Sequence, residues 1–239
     1  MSDFKFDIAA TLAATATKSV FVDTKKDTTF RLRFLPPNED TNGNLWAMTG
    51  NHWGLKDEEG KNIAPACAGD DCFFCKLASY LQKSADPDEQ ELGKELTVSN
   101  YYYTQVLVAT KVGMDEKDVP FFEYSEPKLI KMSPGAAKKV NALLKAQWEN
   151  GDDLLFSEEG GHDFVLERSG EKKGTRYEVT PIGRRNNLDT IRPDWKDRRL
   201  NPWDHLRTAP MADEEAMAVA VRTFGNTLDW DEINSVLGG

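Results

Sequence analysis

The sequence predicts a mainly β protein with some α (α+β): a small β-barrel with inserts and one longer helix, in preference to a parallel α/β sheet. Two observations carry this. Short stretches with period-two alternation, or with runs of aromatic and β-branched residues, recur along the chain. Only residues 134–150 combine sustained helical spacing with signals at both ends. There is no internal repeat and no low-complexity tract.

Residues 1–20, rich in Ala and Thr, read as an arm, and the arm is taken as 1–27. Regular structure is expected from Thr28. Phe30, Leu32 and Phe34 alternate with Arg31 and Arg33, which implies one buried and one basic face, and Pro36-Pro37 ends the strand. Residues 44–53 look extended, whereas 54–71 are loop-like, with Gly54, Gly60, Pro65 and Gly69. From Cys72 to Lys83, Phe74, Leu77 and Leu81 have helical spacing; Asp86 to Gly93 is a polar, acidic stretch. Residues 100–110 are strongly β-prone, and Pro120–Tyr124 and Lys128–Met132 read as a strand or a pair. Ser133 is placed to cap the helix over 134–150, with Pro134 at its first position and Gly151 beyond its end; Ala137, Val140, Leu144 and Trp148 share a side. A hairpin follows, its strands joined by Gly170-Glu171-Lys172-Lys173-Gly174. Residues 183–207 look irregular, basic and Trp-bearing. The rest is assigned to an acidic tail, 208–239, with short helices carrying Met217, Val221 and Phe224, then Trp230, Ile233 and Leu237.

With 239 residues, 39% hydrophobic and 29% charged, the chain suits one sizeable soluble core with appended arms. No apolar run approaches the roughly 20 residues that span a bilayer, and no membrane partner is expected. The N-terminus lacks a basic start followed by an apolar block, so a cytosolic location is the expectation. The formal charge of −10 taken alone argues against nucleic acid. Its distribution matters more. Residues 209–239 hold six acids and one base, whereas 168–207 hold eleven bases and six acids. An acidic tail of this kind competes with DNA for a basic surface or recruits a partner; the bland reading is two solvated faces.

All three cysteines lie within nine residues, a poor disulfide framework. His52, Cys67, Cys72 and Cys75 make the pattern H-x14-C-x4-C-x2-C. Three thiolates and an imidazole complete a tetrahedral zinc site with no open position, which is structural chemistry; the intervening polar loop has little core of its own, and the zinc subdomain is taken as about residues 50–85. Three alternatives stand beside it. Cys72 and Cys75 are a redox pair, although no strand leads into them; the thiols are simply buried; or His52 is an ordinary strand histidine, with His162 or His205 as fourth ligand.

Single-stranded nucleic acid is held by a basic groove with aromatic faces on which bases stack. Several candidate strands interleave the two. Arg31 and Arg33 share a face. Tyr101, Tyr102 and Tyr103 open the long strand that ends near Lys111. Phe121, Phe122 and Tyr124 lie beside Lys128 and Lys131, and the late hairpin brings Lys172, Lys173, Arg176 and Tyr177, then Arg184 and Arg185. Core packing is the commoner fate of each aromatic, and solvated charge that of each cation.

In this arrangement the chain resembles the T-even-type bacteriophage single-stranded DNA-binding (helix-destabilising) protein family. The pieces occur in family order: FLPP at 34–37, NHWG at 51–54, the C-x2-C of Cys72 and Cys75 leading into a short helix, YYYTQVLVA at 101–109, Lys128 to Trp148, the hairpin over 162–179, and an acidic C-terminus. The resemblance covers roughly residues 28–182, which sets the expected core at 28–207. It implies an OB-fold core, zinc on His52, Cys67, Cys72 and Cys75, and sequence-tolerant binding of single-stranded DNA in phage replication, recombination and repair, in the cytoplasm of the infected bacterium. It supports Tyr102 or Tyr103, Tyr124 and Tyr177 as stacking residues and implies a tail that contacts other replication proteins. Self-association along DNA is a further expectation. The spacings within the zinc motif differ from the family's, and the arm's only bases are Lys18, Lys25 and Lys26.

Two other classes compete. A zinc-stabilised protein-interaction module of the replication or transcription machinery suits the acidic total. An enzyme is disfavoured: the H-x-E…P-C-x-x-C deaminase signature is absent, since Trp53-Gly54 follows His52 and no Pro precedes Cys72. No nucleophile with a neighbouring base stands out.

Overall fold

The computed structural model describes residues 19–24, 28–116, 118–151, 155–170, 175–206 and 208–237, with the side chains of residues 183, 184 and 226 outside it. Most of the expected arm, including Lys18, Lys25 and Lys26, thus lies outside the described residues, as do Lys172 and Lys173 of the late turn.

Among the described residues, nine strands and six helices make a mixed α+β fold. The strands are β1 (Thr28–Phe34), β2 (Ala47–Asn51), β3 (Leu55–Lys56), β4 (Asn62–Ile63), β5 (Ser99–Met114), β6 (Pro120–Tyr124), β7 (Lys128–Met132), β8 (Gly161–Ser169) and β9 (Arg176–Asn186). The helices are α1 (Phe73–Leu81), α2 (Pro87–Leu96), α3 (Pro134–Glu149), α4 (Leu188–Ile191), α5 (Asp213–Phe224) and α6 (Trp230–Leu237). None is long and apolar enough to cross a membrane, among the described residues.

β5, 16 residues long, is the spine of a seven-stranded antiparallel sheet. Tyr102 pairs with Met48 of β2 and with Met132 of β7, and Ala109 pairs with Arg31 of β1 and with Tyr124 of β6. One edge of β5 therefore carries β2 and β1, and the other β7 and β6. β8 and β9 continue outward from β1. Among the described residues no ladder joins β9 back to β6 or β7, so the sheet is open where a closed barrel was expected. In place of a closing ladder, α3 packs against β9, β5 and β7. Lys139 of α3 donates to the Tyr177 carbonyl oxygen on β9 at 2.6 Å.

The sheet and α3 enclose the main core, which includes Leu32, Phe34, Val106, Ile130, Val140 and Phe164. Phe34 meets Phe156 and Phe164 edge-on at 5.2 and 5.0 Å between ring centroids. Burying such a side chain contributes about 1.5–3 kcal/mol. On the opposite face, Leu35, Leu107 and Tyr124 are roofed by Leu188 and Trp195 from residues 188–195. β1 is thus covered on both faces at its C-terminal end, which overturns the expected basic outer face.

α3 begins as the sequence indicates, with Ser133 Oγ accepting from the Ala136 amide at 3.3 Å. Its last turn does not follow the expected stripe: Ala136, Ala137 and Val140 are buried, but Trp148 is 79% exposed. The acidic stretch after Asp86 is a helix, α2. Asp86 accepts from the Asp88 amide at 2.8 Å with Pro87 at the first position, the same signal that starts α3.

The C-terminal residues do not stand apart as a tail. α5 and α6 close over α1, and Ala216, Val219, Ala220, Leu228 and Ile233 share one core with Leu55, Phe74, Leu77, Leu81 and Leu96. Trp230, Ile233 and Leu237 of the second predicted face all pack there, as do Met217 and Phe224 of the first. In α5 the buried face is turned toward Ala216 and Ala220, whose small size permits close approach to α1, while Val221 is exposed.

Candidate metal centre and nucleic-acid interface

His52 stands just beyond β2, Cys67 beyond β4, Cys72 at the N-cap of α1 and Cys75 in its first turn. Backbone bonds bring these segments together. The Cys67 amide donates to the Gly50 carbonyl oxygen at 2.9 Å and the His52 amide to that of Pro65 at 3.0 Å. Gly50 permits this crossing: a Cβ there would lie 2.8 Å from Val98 Cγ2 and 3.3 Å from Cys67 Cβ.

The four ligand atoms all lie within 4.8 Å of one another. Cys72 Sγ is 3.2 Å from His52 Nε2, Cys75 Sγ is 3.7 Å from it, and the Cys67 and Cys75 sulfurs are 3.5 Å apart. Metal–sulfur bonds of about 2.3 Å at tetrahedral angles would set sulfurs about 3.8 Å apart, so this donor set fits one ion. His52 Nδ1 lies 2.8 Å from the Leu96 carbonyl oxygen; donation there leaves the Nε2 lone pair aimed at the thiols. Burial holds the imidazole below its ordinary pKa, against the Leu96 bond, which favours the neutral ligand form. Burial also opposes ionisation of Cys72, but backbone groups of Ala68, Cys75 and Phe74 and the Cys67 thiol outweigh it and lower that pKa. Cys75, buried and beside the other two sulfurs, is pushed up to about 12. With its thiols deprotonated on binding, the cluster can hold one metal ion with every position filled by protein. His162 is engaged elsewhere, its Nδ1 2.8 Å from the Ile182 carbonyl oxygen, and neither it nor His205 joins the cluster.

The acidity of the chain sits around this centre. Residues 56–97 and 209–239 hold 16 acids and six bases, so the formal charge of −10 resides there and the remainder balances.

The expected nucleic-acid contacts divide. Arg33 is wholly buried and donates through Nη2 to the carbonyl oxygens of Ser157 at 2.6 Å and Asn186 at 3.1 Å. Burial pushes its pKa down to about 10 despite the nearby Asp163. Tyr124 is buried, its hydroxyl donating to Asp163 Oδ2 at 2.6 Å; burial and that carboxylate push its pKa up. Tyr103 is buried against Phe21. All three are therefore packed inside the fold rather than presented on its surface. Arg31 is mostly buried, with Nη2 2.7 Å from Asp163 Oδ2 and its guanidinium carbon 3.8 Å from the Phe122 ring centroid. Tyr102 and Lys128 are half-buried, and Lys111 and Arg176 are exposed. Arg185 is exposed with Nε 3.2 Å from His162 Nε2. Arg184 lies in β9 with its side chain outside the description.

The basic stretch is largely neutralised within the fold. Arg192 and Arg198 pair with Asp194 at 2.5 and 2.6 Å, Arg198 also reaches Glu126, and Lys196 pairs with Glu158. The part that stays available is elsewhere. A groove of about 380 Å³ is lined by Tyr101, Lys131, Ser133, Arg168, Thr175 and Tyr177, with Thr24 at its rim and no carboxylate. Lys131 Nζ lies 3.5 Å from the Tyr101 ring centroid and 4.9 Å from that of Trp53, and the two rings meet edge-on at 6.0 Å. Burial lowers the Lys131 pKa. Neither Lys131 nor Arg168 makes an ion pair among the described residues. Sequence reasoning missed Trp53 and Arg168. The signal for Trp53 was its place next to His52, where a metal ligand fixes the backbone.

Protein-family models and a search of curated proteins give no match to this chain.

Proposed function

We propose that this chain is a non-catalytic, sequence-independent single-stranded DNA-binding protein of phage replication, recombination and repair. Its antiparallel sheet is read as an OB-like core, and its ion as one structural zinc. The observation that carries the reading is the cation–aromatic cluster of Trp53, Lys131 and Tyr101, beside a carboxylate-free groove that adds Arg168 and Tyr177. Two cations without an ion pair among the described residues suit phosphates, and the exposed Trp53 with the half-buried Tyr101 and Tyr177 suits unstacked bases. Lys111, Lys128, Arg176, Arg184, Arg185 and Tyr102 are retained as peripheral contacts. The segregated charge answers the objection from net acidity, because the residues outside 56–97 and 209–239 balance.

The ion is assigned as zinc because three thiolates and one imidazole in a closed tetrahedral set match its preference. It would pin the β2–β4 loop to α1 and so hold Trp53 in place. The expected location is the cytoplasm of the infected bacterium, with other replication proteins as partners of the acidic helical unit. Fluorescence anisotropy with labelled oligo-dT and a duplex control tests the reading: tight binding to the single strand alone supports it, and no binding overturns it.

A second reading, a zinc-stabilised protein-interaction module, is favoured by one feature. A cleft of about 750 Å³ between α1 and α6 is lined by Tyr80, Glu89, Asp229, Glu232, Ile233 and Val236 on the acidic unit. Such a module would leave oligo-dT unbound.

A further inference from the structure

We infer that Lys131 caps abasic sites in single-stranded DNA, its ε-amine condensing with the open-chain aldehyde of a deoxyribose that has lost its base. This activity presupposes the strand-binding reading and gives its groove a covalent substrate class. A lysine amine is a recurrent nucleophile toward carbonyls when it is drawn partly out of water and kept from an ion pair. Lys131, on β7, meets both conditions. It is half-buried, and its Nζ lies 3.5 Å from the Tyr101 ring centroid and 4.9 Å from that of Trp53. None of the described residues lining the groove beside it is a carboxylate. Lys139, on the neighbouring α3, is by contrast held by the Tyr177 carbonyl oxygen at 2.6 Å and by Glu178 at 2.5 Å.

The ring contact also supplies selectivity. A base stacked on Tyr101 takes the ring face that Nζ occupies, so an intact nucleotide displaces the amine. An abasic nucleotide has no base to do so, and its sugar meets the amine in place. The rings favour the ammonium form, whereas burial lowers the Lys131 pKa and so enlarges the neutral fraction that attacks. The groove, about 380 Å³, lies near the lower end of small-ligand sites, roughly 300–1,000 Å³, which suits one sugar with its phosphate better than a run of stacked nucleotides. Arg168 lines the same groove and, unable to lose its proton, is left to hold the adjoining phosphate.

In the reaction the nitrogen lone pair adds to C1′ of the aldehyde. The carbonyl oxygen takes up two protons, both supplied by the amine nitrogen once it has bonded, and leaves as water. A C=N bond replaces C=O, and nothing is oxidised or reduced. Cutting the strand would further require a base to take a C2′ proton while the 3′ phosphate departs. With no carboxylate among the described groove residues, that step has no such base, so the linked strand stays intact.

The test incubates the full, metal-loaded chain with an oligo-dT carrying one internal abasic site and with sodium cyanoborohydride, which reduces an imine to a stable amine. Denaturing gels and peptide mass mapping read the adduct, and anisotropy with intact oligo-dT reads strand binding separately on the same preparation. The expected result is a single covalent adduct at Lys131, no strand scission above a protein-free control, and no adduct with intact oligo-dT. Lys131→Arg keeps the charge but has no amine to condense, and at concentrations that saturate the abasic strand it should lose the adduct. Mapping on the wild type decides by itself should that variant misfold. Tight binding of intact oligo-dT with no adduct overturns this activity and leaves the strand-binding reading standing. Adducts on other lysines, or strand scission, overturn it as well, and failure to bind either strand overturns both.

Discussion

The Leu96 carbonyl oxygen, in the last turn of α2, lies 2.8 Å from His52 Nδ1 and so sets the ring that faces Cys72 and Cys75. The metal centre is thereby tied to the helices around it. Stripping the ion with a strong chelator, or Cys72→Ser, is expected to lower stability by at least about 3 kcal/mol, roughly 6–12 °C in Tm for a chain of this size. Differential scanning calorimetry reads this; unchanged melting would contradict a structural ion.

The same imidazole gives a pH dependence of known sign. Burial holds the His52 pKa below its unfolded value of 6.5, so protonation favours the unfolded chain. Its contribution is complete above pH 6.5 and is lost as pH falls through the lowered pKa. Competition between proton and metal for Nε2 acts in the same direction. Urea midpoints from pH 7.5 to 5 should fall more steeply for the wild type than for His52→Gln.

Arg33 is expected to matter for folding and not for binding. Arg33→Ala leaves the Ser157 and Asn186 carbonyl oxygens without their buried donor and opens a cavity against Gly161, whose added Cβ would run into the guanidinium. A loss of about 3 kcal/mol is expected in urea unfolding, with oligonucleotide affinity of the folded protein unchanged.

Removing residues 209–239 is expected to do more than discharge a tail. It uncovers Leu77 and Leu81, which are fully buried beneath α5 and α6. The truncated chain should melt at lower temperature and exchange α1 amides faster. A truncated chain that melts like the wild type would show that these helices are dispensable.

Much of the candidate site was legible because its chemistry is local. Cys72, Cys75 and the start of α1 are one short segment, and Ser133-Pro134 announces α3. Asp86-Pro87 announces α2 by the same rule, but the acidic residues after it masked the few apolar positions. What failed depended on distant packing. Alternation along β1 is genuine, yet Trp195, far along the chain, covers the second face and takes Arg33 inside. No local pattern records that Lys196 finds Glu158 and Arg198 finds Glu126, or that Lys131 is set against the Tyr101 and Trp53 rings.

The most direct measurement is the affinity of oligo-dT for wild type and for the Lys131→Glu, Arg168→Glu double variant across a salt series. The wild type should bind tightly and weaken steeply with salt. The variant should lose at least about tenfold in affinity and show a salt slope shallower by about 2. Equal affinity in the two proteins, or wild-type binding insensitive to salt, would contradict a phosphate-binding groove at Lys131 and Arg168.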